Sequence, residues 1–269
     1  MTATAAPGAA LFAELPEAKP NSFAQWRALT GRVIWVMVSK GELIVAMLTP
    51  LVFTLGFYLP LRYVMQFQGI DYAQFVMPII VLQTMAFTMM SNAQLAAFEA
   101  LTGLSTRLQS MPIGKLVPLT SRICAGIVRS SCSLTAALVF GHLIGFRFSA
   151  GWGQSVLFCG FSLAVGTMLA IGADALGSLT KSPESLSQAL TLPTIIFGML
   201  SCGFVPEGSF PAWIRPFVRN QPISQFSFAL GDMAKDGVTW QVLWVPLIWL
   251  IGGFLVFIPL AVWASVRRS

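Results

Sequence analysis

Charge is scarce in this sequence: Asp, Glu, Lys and Arg together make up 10% of it, where a soluble domain carries about 25%. A water-soluble chain of 269 residues lacks, at that level, the polar surface it needs to cover itself. Histidine is scarcer still. His142 stands alone, which excludes His-based zinc clusters and argues against a Ser-His triad. The four cysteines, Cys124, Cys132, Cys159 and Cys202, each sit in an apolar stretch, and no two have CxxC spacing. They read as small buried hydrophobes, not as a disulfide scaffold.

The common catalytic and nucleotide-binding patterns are missing too. There is no GxGxxG, HExxH or GxSxG, and Gly114-Lys115 is followed by Leu116 without the upstream glycine of a phosphate-binding loop. If the protein uses nucleotide energy, another chain must bind the nucleotide. No basic run is long enough to track phosphates, so the net charge of +6 does not point to nucleic acid. Residues 1–20 are Ala/Pro-rich and carry Glu14 and Glu17, with no basic region before an apolar core. They read as a disordered cytoplasmic tail and not as a signal peptide.

What the sequence has is apolar bulk: 56% hydrophobic residues and a mean hydropathy of +0.76, gathered in long blocks. With about 20 apolar residues per crossing, the blocks predict an all-α membrane protein with six spans. These fall near residues 43–65, 74–98, 117–141, 153–178, 187–205 and 240–264. Pro50 and Pro60 are expected to kink the first. Residues 21–40 predict an amphipathic helix in the membrane interface, with Phe23, Trp26, Val33, Ile34 and Met37 on one side and Gln25, Arg32 and Ser39 on the other, Arg27 lying near the boundary. Residues 206–238 hold Pro206, Pro211 and Pro222 between short apolar runs, which predicts two short interfacial or re-entrant helices. The remaining chain, 41–269, forms one membrane domain. Placing both termini in the cytoplasm puts most lysines and arginines on the inside, as the positive-inside rule demands.

Arg129 lies within the third span and shares a helix face with Arg122, seven residues earlier. A buried arginine needs a partner, and Asp174 in the cytoplasmic half of the fourth span is the candidate. The pair reads either as a static bridge between spans three and four or as a switchable ion pair or headgroup contact. The lone GxxxG, Gly141 to Gly145, reads as a close-packing site or as a span end and turn. Spans two and five carry soft apolar residues, among them Met85, Met89, Phe197, Met199 and Cys202. Such side chains suit greasy ligands, but they also serve plain packing.

The loop between spans two and three is the most informative segment. Gly103 is suited to end the preceding helix, a short helix bearing Arg107 and Leu108 follows, and Pro112 punctuates it. Here the chain resembles the ABC-2 type permeases: Glu99, Gly103, Arg107, Leu108 and Pro112 match the acid, Gly, Arg-Leu and Pro of that family at its offsets. Past the fifth span Pro193, Phe204, Pro206, Pro211, Trp213 and Asn220-Gln221-Pro222 resemble a second family run, with Gln221 inserted and Gly231-Asp232 where an arginine often stands. Gln109-Ser-Met111-Pro112, Gly145-Phe-Arg-Phe148 and Phe217 to Ser224 look most like the daunorubicin/doxorubicin-resistance type of actinobacteria, whose mycobacterial relatives are associated with exporting complex envelope lipids.

The resemblance implies a type V exporter-like fold and a non-catalytic permease subunit, multi-pass in the bacterial cytoplasmic membrane. Two permeases, identical or paralogous, would pair with two cytoplasmic ABC ATPase subunits that bind ATP and Mg, no cofactor being held by this chain. The coupling loop, 99–116 with Glu99, Gly103, Arg107, Leu108, Met111 and Pro112, would dock on an ATPase. Trp26, Arg27 and Arg32 of the first helix would help hold that interface, and 206–238 would form an extracellular cap. Arg107 and Lys115 also serve a simpler reading, in which they only enforce topology. The cargo implied is hydrophobic or amphiphilic, an envelope lipid or a drug such as an anthracycline. The alternative is a carrier driven by an ion gradient, a class that usually buries several midplane carboxylates; here Asp174 is the one serious intramembrane acid.

Overall fold

The computed structural model describes residues 22–67, 69, 71–103, 114, 116–180 and 182–267. Among them the chain is helical almost throughout: α1 (Ser22–Ser39), α2 (Glu42–Phe53), α3 (Leu59–Phe67), α4 (Tyr72–Leu101), α5 (Val117–Ile144), α6 (Trp152–Leu179), α7 (Pro183–Met199), α8 (Arg215–Asn220), α9 (Pro222–Lys235) and α10 (Trp240–Arg267). Among the described residues, five helical stretches are long and apolar enough to cross a membrane: Glu42–Phe67, Tyr72–Leu101, Val117–Ile144, Trp152–Leu179 and Trp240–Ser265. The stretch expected as a fifth span ends earlier than its apolar block, since α7 stops at Met199 and 200–205 turn. Its 17 residues reach roughly 25 Å at 1.5 Å per residue, near the lower limit for a crossing.

The first span stays helical past both of its prolines. α2 carries Pro50 internally and joins α3 through a π-helical turn, Thr54–Tyr58. Pro60 offers no N–H to the carbonyl one turn back, and its ring crowds that carbonyl. A wider turn just before it relieves both problems.

α4 sits at the centre. Its most apolar stretch is 78% buried, against 17% for the first span and for α10. Other helices surround it: α4 meets α5, α6, α7 and α9. Small residues set the closest approach. A Cβ on Gly177 would stand 2.3 Å from the backbone oxygen of Ala93, so α6 passes α4 at near backbone contact. Gly141 and Gly145 divide the two readings of their motif. Gly141 faces Met77 with no room for a side chain, while Gly145, at φ 107°, caps α5 in the left-handed region.

The two short helices expected in 206–238 are α8 and α9, preceded by a 3-10 turn at Glu207–Ser209. α9 is no surface element: Phe226, Ala229, Leu230 and Met233 are buried in the main core with Met77, Ile80 and Phe161. Polar latches hold this end together. Gln74 Nε2 donates to the Arg147 carbonyl at 2.6 Å, and the Arg147 N–H donates back to Gln74 Oε1 at 3.2 Å. Ser149 reaches the last carbonyls of α9, its N–H donating to Ala234 at 2.9 Å and its Oγ to Lys235 at 2.8 Å.

Candidate functional site

Four charged side chains converge where α4 ends. Arg122 of α5 donates from Nε and Nη2 to the two carboxylate oxygens of Asp174 on α6, at 2.6 and 3.0 Å. Its Nη1 reaches Glu99 of α4 at 3.2 Å, and Arg32 of α1 donates to the other Glu99 oxygen at 3.0 Å. Arg122, Asp174 and Glu99 are all largely buried, while Arg32 remains 43% exposed. Two arginines thus neutralise two carboxylates in a chain that ties α1, α4, α5 and α6 together. A planar guanidinium suits this duty, because it serves both carboxylates along fixed directions.

This corrects the expected pairing of Arg129 with Asp174. Asp174 stands five residues before the end of α6 and Arg122 five residues after the start of α5. In antiparallel neighbours both therefore lie roughly 7.5 Å from the same end. Arg129 is a further seven residues on, roughly 10 Å deeper along the bundle, out of register with Asp174. Its partner is Glu42, the first residue of α2. Glu42 gives little sign of this in the sequence, since it stands at a span entry where a solvated acid is ordinary. Counting Arg129 inward from the start of α5 excludes Asp174 without singling out Glu42.

Gly103 takes φ 67° immediately after the last turn of α4, which Thr102 closes with its N–H on the Phe98 carbonyl. Glu99 therefore lies in the final turn of α4, two residues before the helix end. Arg107, Leu108, Met111 and Pro112 fall outside the described residues. Of the first-helix residues, Trp26 is partly buried and stacks on Phe23 at 5.7 Å, Arg27 is exposed, and Arg32 joins the charged chain. Val33 and Met37 of α1 pack on Ala125 of α5, so the apolar stripe of this helix is spent largely on its own bundle. Trp35 is 70% exposed.

A second feature is an apolar cavity of about 760 Å³ bounded by α4, α6, α7, α9 and α10. Met89 and Phe197 line it, together with Met168, Phe226, Trp249 and Phe257. Met85 does not; it is fully buried with its sulfur against Gly166. Met199 is half exposed and lies outside the lining. The α6, α9 and α10 walls are not among the sequence candidates, because only the assembled bundle brings them together. A volume of this size falls in the usual range for small-molecule sites, roughly 300–1,000 Å³.

The inserted Gln221 has a clear job. Its side-chain amide donates to the carbonyls of Phe197 and Leu200, at 3.1 and 2.6 Å, at the end of α7. Ser224, in the first turn of α9, accepts the Cys202 N–H at 3.0 Å. Together they fasten the turn after α7 to the head of α9, satisfying carbonyls and an N–H that the helix end leaves open. This forms the rim of the cavity, where Pro222 and Ile223 also sit.

Comparison with known proteins agrees with this architecture. The family described as ABC-2 family transporter protein matches residues 59–263. Over 262 residues the chain is 37% identical to the doxorubicin resistance ABC transporter permease protein DrrB of Mycobacterium tuberculosis, covering 89% of this chain and 90% of that protein. It is 30% identical over 168 residues to the probable doxorubicin resistance ABC transporter permease protein DrrC of the same species, covering 62% and 60%. The family match spans most of the chain and the DrrB likeness runs nearly end to end, so the chain belongs to the ABC-2 family and is a permease subunit of an ABC transporter.

Proposed function

We propose that this permease forms the membrane half of an ATP-driven exporter of hydrophobic or amphiphilic compounds. Its cargo class is that of anthracycline-like drugs or complex envelope lipids. The observation that carries this reading is the 760 Å³ cavity, walled by apolar side chains of five helices and bordered by the Gln221 latch. Such a surface recognises bulk and apolarity more than a fixed pattern of polar groups. The names of the two relatives, both doxorubicin resistance permeases, support the same cargo class.

In this reading α7 makes the sixth crossing, both termini face the cytoplasm, and α8 and α9 form an outer cap whose second helix re-enters the bundle. A second permease, a copy or a DrrC-like paralogue, completes the pathway. Two separate ATPase subunits bind ATP and Mg. The loop after α4, with Arg107 and Leu108, docks on an ATPase, and the charged chain from Glu99 carries its displacement to α1, α5 and α6. Coupling of this kind needs two arrangements that nucleotide biases differently. The salt-bridged α4 end supplies a stiff lever for it.

The test is to copurify the ATPase with wild-type chain and with Arg107→Ala and Leu108→Ala, then measure substrate-stimulated ATP turnover. Both variants are expected to keep normal membrane levels and to lose ATPase recovery or stimulation. Full recovery and full stimulation in both would remove the docking role.

A further inference from the structure

A second cleft, of about 340 Å³, opens between α2, α4 and α5 and shares no lining residue with the apolar cavity. Lys40, Glu42, Thr49, Ser91 and Arg129 line it. Two cations face one carboxylate, so the cleft carries an excess positive charge. Arg129 is 1% exposed and gives its Nη2 to Glu42, yet its Nε and Nη1 are buried with no hydrogen-bond partner among the described residues. Leaving charged donors dry and unpaired is costly, and in a native structure such groups ask for an explanation. Arg129 lines the cleft, so an anion drawn in beside it would supply the missing acceptors.

The position selects the kind of anion. Glu42 opens α2 and Lys40 stands two residues before it, so the cleft runs inward from the start of the first span, with Arg129 at its deep end. Beyond it Val45, Leu48 and Val52 of α2 remain 65%, 48% and 67% exposed, a greasy rail running into the membrane from the cleft mouth. Charge at one end and an open apolar strip at the other match an anionic lipid better than a free ion. The Lys40 ammonium, 5.5 Å above the Phe98 ring, stands beside the opening. We propose that this cleft is a binding site for the phosphate headgroup of an anionic phospholipid, with Arg129 as its buried anchor, Lys40 as its outer contact and Glu42 as an internal competitor for the Arg129 fork. The site is separate from the cavity assigned to cargo, so it stands or falls independently of the export reading.

The full chain in a neutral detergent is titrated with phosphatidylglycerol, phosphatidylcholine or inorganic phosphate. Bound lipid per chain is read by native mass spectrometry and stability by the thermal midpoint. Wild type is expected to retain one phosphatidylglycerol and to rise in midpoint with it, while phosphatidylcholine and millimolar phosphate do neither. Lys40→Gln should weaken retention about threefold and Arg129→Gln at least tenfold. Glu42→Gln, which frees the Arg129 fork, should tighten it by about threefold. Because Arg129→Gln strands Glu42 and can fail to fold, the opposite shifts of Lys40→Gln and Glu42→Gln decide the matter. Equal retention of phosphatidylcholine, equal stabilisation by phosphate alone, or shifts of Lys40→Gln and Glu42→Gln that are absent or in the same direction would overturn the proposal.

Discussion

Arg122 holds Asp174 through two parallel hydrogen bonds, 2.6 and 3.0 Å long, between neighbouring antiparallel helices. The same guanidinium reaches Glu99 with its remaining arm. One side chain therefore contacts two buried carboxylates, Glu99 of α4 and Asp174 of α6. Removing it strands Asp174 and leaves Glu99 with Arg32 alone. Breaking a buried pair in this way costs about 3–5 kcal/mol. Arg122→Ala should fall steeply in folded yield by size-exclusion of tagged protein. Arg122→Lys keeps the charge but loses the fork, and should fall between wild type and the alanine variant. Wild-type yield and midpoint in Arg122→Ala would show that the junction does not hold the bundle.

Backbone proximity of α4 and α6 predicts opposite outcomes at two glycines of one helix. Gly177→Ala places a methyl 2.3 Å from the Ala93 carbonyl oxygen, which cannot rotate away. The helices must separate, at about 1–3 kcal/mol. Gly160 is exposed, and a methyl group there would meet nothing within 4 Å. Gly160→Ala should be neutral or stabilising by up to about 1 kcal/mol, since glycine weakens a helix. Thermal midpoints of the two variants in the same detergent check the contrast.

How much of the molecule is legible in its sequence varies with the distance over which each feature is built. The apolar spans, the left-handed Gly103 and the proline-marked helices 215–220 and 222–235 follow from local chemistry: apolar length, dihedral freedom, a missing N–H. Arg122 and Asp174 both stand out as unusual charges, yet their partnership depends on equal depth from the helix ends, which pattern alone places only to within a few residues. That uncertainty is what assigns Arg129 to the wrong acid. Glu99 reads in the sequence as the opening acid of a loop, whereas it closes a helix and receives two arginines. The cavity is half legible. Met89 and Phe197 lie on it, while its α6, α9 and α10 walls arise from packing between segments far apart in the chain.

The cavity reading predicts a block by bulk alone. Gly252 lines the cavity and has open space where a side chain would grow. Gly252→Trp should fill much of it without disturbing the helix contacts, lowering doxorubicin efflux several-fold at an unchanged midpoint. Gly160→Trp, on an exposed face of α6, should leave efflux alone. Equal efflux in wild type and Gly252→Trp would move the cargo path elsewhere.

Energy from a separate ATPase is what moves lipophilic cargo through the proposed exporter. The most direct measurement reconstitutes the permease with its ATPase in vesicles and follows a fluorescent lipophilic drug, with the ATPase nucleotide site intact or disabled and with ion gradients present or collapsed. Transport is expected to depend on ATP, to stop when the nucleotide site is disabled and to be indifferent to the gradients. Transport that persists with the disabled ATPase and stops when the gradients collapse would contradict it.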